Sequence, residues 1–320
     1  MLETYLRHIA QLKTDRSANR WTDLTMNKAP HKAFTLLAVM DLFAIAAIEK
    51  NFIPPATDLV DNFNCYWELV MPHNKKSSMA YPFPRLANDG IWQLVANPDH
   101  IGKINIESIS SMKKLRQVCA GAVMPDDLYS FMCDPTAREA LRVEILKNYF
   151  APEIQSLIKE QGVINQQSFG YSLNILGRTD QVIMFDPENE YIPKKVRNQG
   201  FRKAIVSLYD HRCAMCGIRL LTPEGHTIVE AAHIIPWRET KDDSPINGMA
   251  LCKVCHWSFD EGLMAVDQNY KVLVSGRIQK DKNYPGHMST LMDRQIIMPE
   301  EERYFPGLQN LEQHRNQRFS

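Results

Sequence analysis

The sequence predicts an α+β protein of more than one domain: a mainly helical N-terminal part with a small β element, then a smaller unit of strands and a helix held together by a metal. Three observations predict it. Apolar residues recur at helical spacing through most of the first 150 residues. That rhythm breaks at Pro82, Pro84 and Gly90, just before the short apolar run Ile91 to Val95. Four of the seven cysteines come as two close pairs, Cys213 with Cys216 and Cys252 with Cys255.

Each element has a local reason. The spacing predicts a helix over Ala33 to Lys50, because "AFTLLAVMDLFAIAAI" follows Pro30, whose missing N–H costs nothing at a helix start. Asp41 interrupts that run, which is shorter than the roughly 20 apolar residues that cross a bilayer, so it reads as a buried helix. "TDLVDNFNCYWELV" continues with helical spacing, and "DDLYSFMCDPTAREALRVEILKNYF" predicts helices split at Pro135. The stretch "SSMAYPFPRLANDG" reads as a loop leading to a hairpin or strand at Ile91 to Val95. Residues 151–195 are less regular, carry Pro187 and Pro193, and are expected to be a linker between domain 1–150 and domain 196–277.

Within 196–277, "VRNQGFRKAIVSLYDHRCAMCG" places Phe201, Ile205 and Leu208 at helical spacing. "HTIVEAAHIIPW" is a strand by its β-branched content. "SPINGMALCKVCHWSFDEGLMAVDQNYKVLVS" then gives a loop, the second cysteine pair, a short helix and a strand pair turning near Gln268 and Asn269. Residues 278–320 form a C-terminal extension ending in the polar helix "EQHRNQRF", where His314, Arg315 and Arg318 could touch phosphates but packing over the preceding unit is the plainer expectation.

Composition narrows the function. Hydrophobic residues at 44% and charged residues at 23% describe an ordinary globular chain. Basic and acidic residues balance at 37 each, so net charge gives no argument for a polyanionic partner. Locally, the stretch from Lys194 to Lys241 holds nine basic residues against four acidic ones, a phosphate-sized positive footprint. The N-terminal "MLETYLRHIAQLKTDR" lacks the basic, apolar and small-residue order of an export signal, so a cytoplasmic location with no membrane partner is expected.

Reduced thiols then explain the cysteine pairs. Two thiolates three residues apart bind one metal from a single tight turn, and two such turns supply four sulfurs at about 2.3 Å from a Zn2+ ion. A redox motif needs only one pair. A structural zinc site at Cys213, Cys216, Cys252 and Cys255 is therefore expected, clamping a strand, a loop and a helix too small to make their own core.

"EAAHIIPW" raises a separate question, since His233 sits in a run that otherwise reads as a buried strand end. A lone histidine there is commonly a hydrogen-bonded core residue. Together with "CAMCG" and "INGMALCKVCHWSFDEGL", however, the run resembles the HNH nucleases, the ββα-metal endonucleases, over roughly residues 196 to 275. The resemblance implies a zinc-knotted HNH domain that hydrolyses double-stranded DNA, with Mg2+ or Mn2+ as catalytic ion. It makes His233 the general base, Asn247 the residue that holds the loop over the strand, and His256 a ligand of the catalytic ion. A neutral histidine with a pKa of about 6.5 suits the first role, because it can take a proton from water near neutral pH. Many members carry an aspartate ligand where this chain has Ala232; Glu230, on the same strand face, is the substitute candidate. Ala232 also leaves open a DNA-binding protein whose HNH domain is inactive.

An HNH module reads little base sequence, so a separate reader is needed. "APHKAF" and "YPFPRL" resemble the sulfur-binding domain of type IV restriction enzymes, which recognises phosphorothioate DNA. Sulfur is larger and more weakly hydrated than oxygen, so a shallow apolar cup can favour it. The resemblance implies that Tyr81 and Pro82 form the cup, that His31 and Lys32 supply hydrogen bonds and charge to the phosphate, and that Arg85 contacts backbone or a guanine edge. The competing reader is one for a base modification such as 5-methylcytosine, with Trp21, Trp67 and Trp92 available for a stacking pocket. A homodimer would place two HNH centres on the two strands.

Overall fold

In the computed structural model, residues 1–17, 19–178, 192–280 and 286–319 are described; Pro187 of the expected linker, and residues 281–285 and Ser320 of the expected extension, lie outside them. The chain divides into one unit of Met1–Gln167 with Thr222–His226, and a second of Ser168–Leu221 with Thr227–Ser320.

The first unit is built on α2 (His31–Ala44), every residue of which from Lys32 to Phe43 is buried. It follows α1 (Leu2–Ala10), and α3 (Thr57–Val70) packs against it as the spacing predicts. Phe34 stacks on Phe150 at 5.0 Å and lies parallel to Tyr66 at 6.0 Å, so aromatic rings fill the centre. Asp41, the charge inside the apolar run, is matched by Arg142 at 2.8 Å, Tyr66 at 2.7 Å and Asn165 at 2.8 Å. Three donors on one buried carboxylate leave it no unsatisfied oxygen. The helix stops at Ala44 rather than Lys50, because Ala46 turns left-handed (φ 53°) and the Ala47 N–H reaches back to Leu42 at 3.0 Å.

Three features of this unit differ from the sequence expectation. "PFPR", read as loop, is a short helix α4 (Pro82–Arg85), with Pro82 in the first turn and the Phe83 carbonyl accepting from Trp92 Nε1 at 2.9 Å. The strand near Ile91 exists as β1 (Gln93–Ala96), but it makes no hairpin. Past α5 (Met112–Val118), it pairs antiparallel with β2 (Cys119–Val123), a strand that "CAGAV" hides because Val123 is its one β-branched residue beside Ala120, Gly121 and Ala122. Small residues are required there, since a Cβ on Gly121 would lie 2.6 Å from the Phe52 ring.

Helices α6 (Asp126–Cys133) and α7 (Pro135–Tyr149) divide at Pro135 as expected. The expected linker is corrected at its start: residues 152–175 form α8 (Pro152–Ile175), a 24-residue helix, and the division between the units falls within it. Its buried face runs through Ile154, Ile158, Asn165, Ser168 and Ser172. Three of those five are polar, which is why apolar periodicity does not reveal it.

In the second unit, α9 (Lys194–Leu208) precedes the antiparallel pair β3 (Val229–His233) and β4 (Gly248–Cys252), registered from Val229 opposite Cys252 to His233 opposite Gly248. Between the strands lies the short helix α10 (Trp237–Thr240). Directly after β4 comes α11 (Lys253–Asp260), completing a ββα arrangement, and then the hairpin of β5 (Met264–Val266) and β6 (Val272–Val274). Short helices α12 (Gly276–Lys280) and α13 (Gly286–Ser289) precede α14 (Leu308–Arg318). As expected for packing rather than phosphate contact, α14 buries Leu311 and His314, and the His314 ring lies flat on Phe259 of α11 at 3.6 Å. Gly262 permits this closure: it is left-handed (φ 67°), and a Cβ would sit 1.9 Å from the Arg318 carbonyl oxygen.

Candidate active site and metal centre

His233 ends β3, and its ring is fixed on two sides. Phe201 of α9 stacks on its face at 3.9 Å and 8°. Helix α9 can come this close because the residue opposite His233 is Gly248, where a Cβ would lie 2.6 Å from Ile205 Cδ1. The ring edge meets Asp243, whose Oδ1 is 2.7 Å from His233 Nε2. Asp243 is almost fully buried, yet it also accepts the Tyr171 hydroxyl at 2.7 Å and Arg197 Nη1 at 3.0 Å and 3.1 Å. Burial alone would raise its carboxyl pKa; the hydrogen bonds from His233 and Tyr171 and the Arg197 charge outweigh that and hold it below the usual value, so it is a carboxylate.

Cations gather beside this pair. Arg197 and Lys241 each lie 3.9 Å from the Trp237 ring, on the segment that follows the histidine. A cavity of about 580 Å³ opens there, lined by Lys194, Arg197, Pro236, Trp237 and Arg238, so three of the nine basic residues of the footprint read from the sequence meet at it. Its size and charge suit a sugar–phosphate segment.

Asn247 is buried and ties the loop between the strands. Its Oδ1 accepts the Ile235 N–H at 2.9 Å, and its Nδ2 donates to the Ile235 and Asp242 carbonyls at 3.0 Å each. The loop so held is the one that carries Asp243 back to His233. Replacing Asn247 by alanine strands buried backbone groups, each costing about 1–3 kcal/mol. The expected outcome is a lower midpoint in thermal unfolding, together with slower turnover of whatever the site cleaves.

A second cluster lies on the same strand pair. Glu230, three residues before His233 on β3, places Oε2 3.1 Å from His256 Nδ1. Asp260, one turn further along α11, places Oδ2 3.5 Å from His256 Nε2. Ala232 is buried, and Glu230 takes up the outward position beside the helix. The two carboxylates sit on opposite ring nitrogens of His256, so only one of them can share a hard divalent cation with the imidazole. The sequence reading missed Asp260 and Asp243. An acid four residues after a histidine on a short helix signals the first; the second lies in "KDDSP", which reads as an exposed loop.

The four paired cysteines do meet. All four sulfurs lie within 4.8 Å of one another, and Cys216 Sγ is 3.7 Å from Cys252 Sγ. A tetrahedron with metal–sulfur bonds of about 2.3 Å has an edge of about 3.8 Å. Among the described residues this is the one group of three or more cysteine, histidine or acidic side chains whose donor atoms are so close. Hydrogen bonding within the cluster pulls the Cys213 thiol down to about 7 and Cys252 lower still, while it pushes Cys216 and Cys255 up. Four sulfurs at this spacing are consistent with a structural zinc site.

The N-terminal candidates fare differently. Tyr81 is 44% exposed beside the buried Pro82, and Arg85 lies 6.0 Å from its ring, so these three form one surface feature. Arg85 also pairs with the exposed Glu107 at 2.7 Å. Lys32 corrects the expectation: it is buried against Asp89, so its charge is already matched. His31 is wedged between Trp21 at 5.2 Å and Trp67 at 4.7 Å, and burial lowers its pKa to about 4, so it is neutral at pH 7 and offers no positive charge. Trp21, Trp67 and Trp92 are all buried.

An antiparallel strand pair followed by a helix, with a histidine at the strand end, a loop-holding asparagine and a four-thiol cluster, is the core of a ββα-metal nuclease. Residues 213–267 match the family model described as HNH endonuclease, and the chain thus carries an HNH endonuclease domain. Among solved structures, the "Modification dependent TagI restriction endonuclease" is 23% identical over 43% of this chain and 44% of that chain, with a TM-score of 0.30. The chain therefore matches less than half the length of that protein. No curated protein matches the sequence.

Proposed function

We propose that this protein is a modification-dependent DNA endonuclease, in which a reader within residues 1–150 recognises phosphorothioate-modified duplex DNA and the HNH domain hydrolyses a nearby phosphodiester bond, restricting foreign DNA. The observation that carries the nuclease reading is the placement of His233: a strand-end imidazole locked against a carboxylate, with a cationic cleft beside it.

In this reading His233 takes a proton from water, the resulting hydroxide attacks phosphorus, and the bond to the 3′ oxygen breaks. His256 and Glu230 would hold Mg2+ or Mn2+, which as a Lewis acid would supply stabilisation of the negative charge on the phosphate and departing oxygen. Lys194 and Arg238 hold the backbone in the cleft. Cys213, Cys216, Cys252 and Cys255 hold a structural Zn2+. Two centres in a homodimer would sever both strands.

Support for the sulfur reader is the exposed Tyr81 ring with Arg85 over it, an apolar face beside a positive charge. The Arg85–Glu107 pair is exposed on the glutamate side and worth little, so a DNA phosphate can replace the glutamate. The test is cleavage of two duplexes of identical sequence, with and without stereodefined phosphorothioate linkages, in manganese. The reading expects cutting of the sulfur-containing duplex alone and its loss in Tyr81→Ala. Equal cutting of both would discard the sulfur reader, and no cutting of either would favour a binding protein with an inactive HNH domain.

A further inference from the structure

We infer that Asp243 is a positioning residue for His233, fixing which ring nitrogen is free to act as the base; the inference rests on the nuclease reading of this site and deepens it. An ionised carboxylate accepts hydrogen bonds and donates none, so at a separation of 2.7 Å it is the His233 Nε2 that carries the hydrogen. The neutral ring then keeps its lone pair on Nδ1. Phe201, stacked at 3.9 Å, leaves the ring only its own plane in which to lie.

The geometry around Asp243 distinguishes this from an incidental contact. Its side chain is 3% exposed, whereas that of His233 is 22% exposed. Burying a carboxylate is costly, and here Tyr171 from α8 stabilises its other oxygen while Arg197 from α9 reaches both. Asn247 fixes the loop backbone one residue earlier, at the Asp242 carbonyl. Three separate elements thus deliver one carboxylate to one ring nitrogen. When Nδ1 accepts the proton, the imidazolium forms against a charge already in place, and no group has to move. The carboxylate remains ionised and takes no proton itself.

The experiment uses the full chain. Nitrogen NMR of isotope-labelled histidine, with the His233 signals assigned by their loss in His233→Gln, reads the tautomer directly. The expected result is a protonated Nε2 and an unprotonated Nδ1 in the wild type, with the two tautomers mixed in Asp243→Asn. In parallel, single-turnover cleavage of the phosphorothioate duplex is expected to slow by about 10²-fold or more in Asp243→Asn, with duplex affinity and bound metal unchanged. A wild-type spectrum with the hydrogen on Nδ1, or an Asp243→Asn protein that cuts at the wild-type rate, overturns the assignment. The wild-type spectrum needs no variant to fold. It also separates the two failures: a chain that cuts nothing yet holds His233 protonated on Nε2 loses the nuclease reading and keeps the Asp243 contact.

Discussion

His233→Ala is expected to lower the cleavage rate by about 10²- to 10⁴-fold, the range a positioned general base contributes, or about 3–5 kcal/mol of transition-state stabilisation. Affinity for the same duplex is expected to stay within about 2-fold, because the cations that meet the backbone, Lys194 and Arg238, line the neighbouring cleft and are left in place. Single-turnover kinetics at saturating protein, paired with a binding titration in calcium or without metal, separates the two effects. A variant that binds poorly would reassign His233 to the DNA interface. A variant that cuts normally would mean that another group takes the proton from water.

The second large effect is expected from the four thiols. Structural zinc sites contribute about 10–16 kcal/mol at pH 7, as much as the whole stability of a typical domain. The cluster joins the turn at Cys213 and Cys216 to the end of β4 at Cys252 and the first turn of α11 at Cys255, and α11 carries His256. Removing the metal with a strong chelator, or replacing Cys255 by serine, is expected to unfold the ββα unit and abolish cutting even when magnesium or manganese is abundant. Elemental analysis should find one zinc per chain, and thermal melting should show the transition lost on chelation and restored on adding zinc back. Unchanged melting in metal-free protein would show that the thiols pack without an ion.

These expectations were legible in the sequence to different depths. Helix α3 and the break at Pro135 follow from local spacing, and both appear in place. The cysteine pairs are readable from their spacing, and His233, Asn247 and His256 through the resemblance of their segments to the HNH nucleases. Asp243 is not: "KDDSP" has the composition of a solvated loop, and only the tertiary contacts of Tyr171 and Arg197 make one of its aspartates a buried charge. The same physics defeats Lys32, which looks like a free cation until Asp89, 57 residues away, is brought beside it. Local pattern reports what a residue can do, while its partner decides what remains available for a ligand.

The stack of His233 on Phe201 also bears on recovery between turnovers. A ring held by one face and one edge cannot swing to hand its proton to a second acceptor. Under the proposed chemistry, the proton taken at Nδ1 must return to solvent through the edge by which it arrived. The resting state is then restored by water reaching a stationary imidazole, and the pace of that step depends on how quickly the cut DNA end uncovers it.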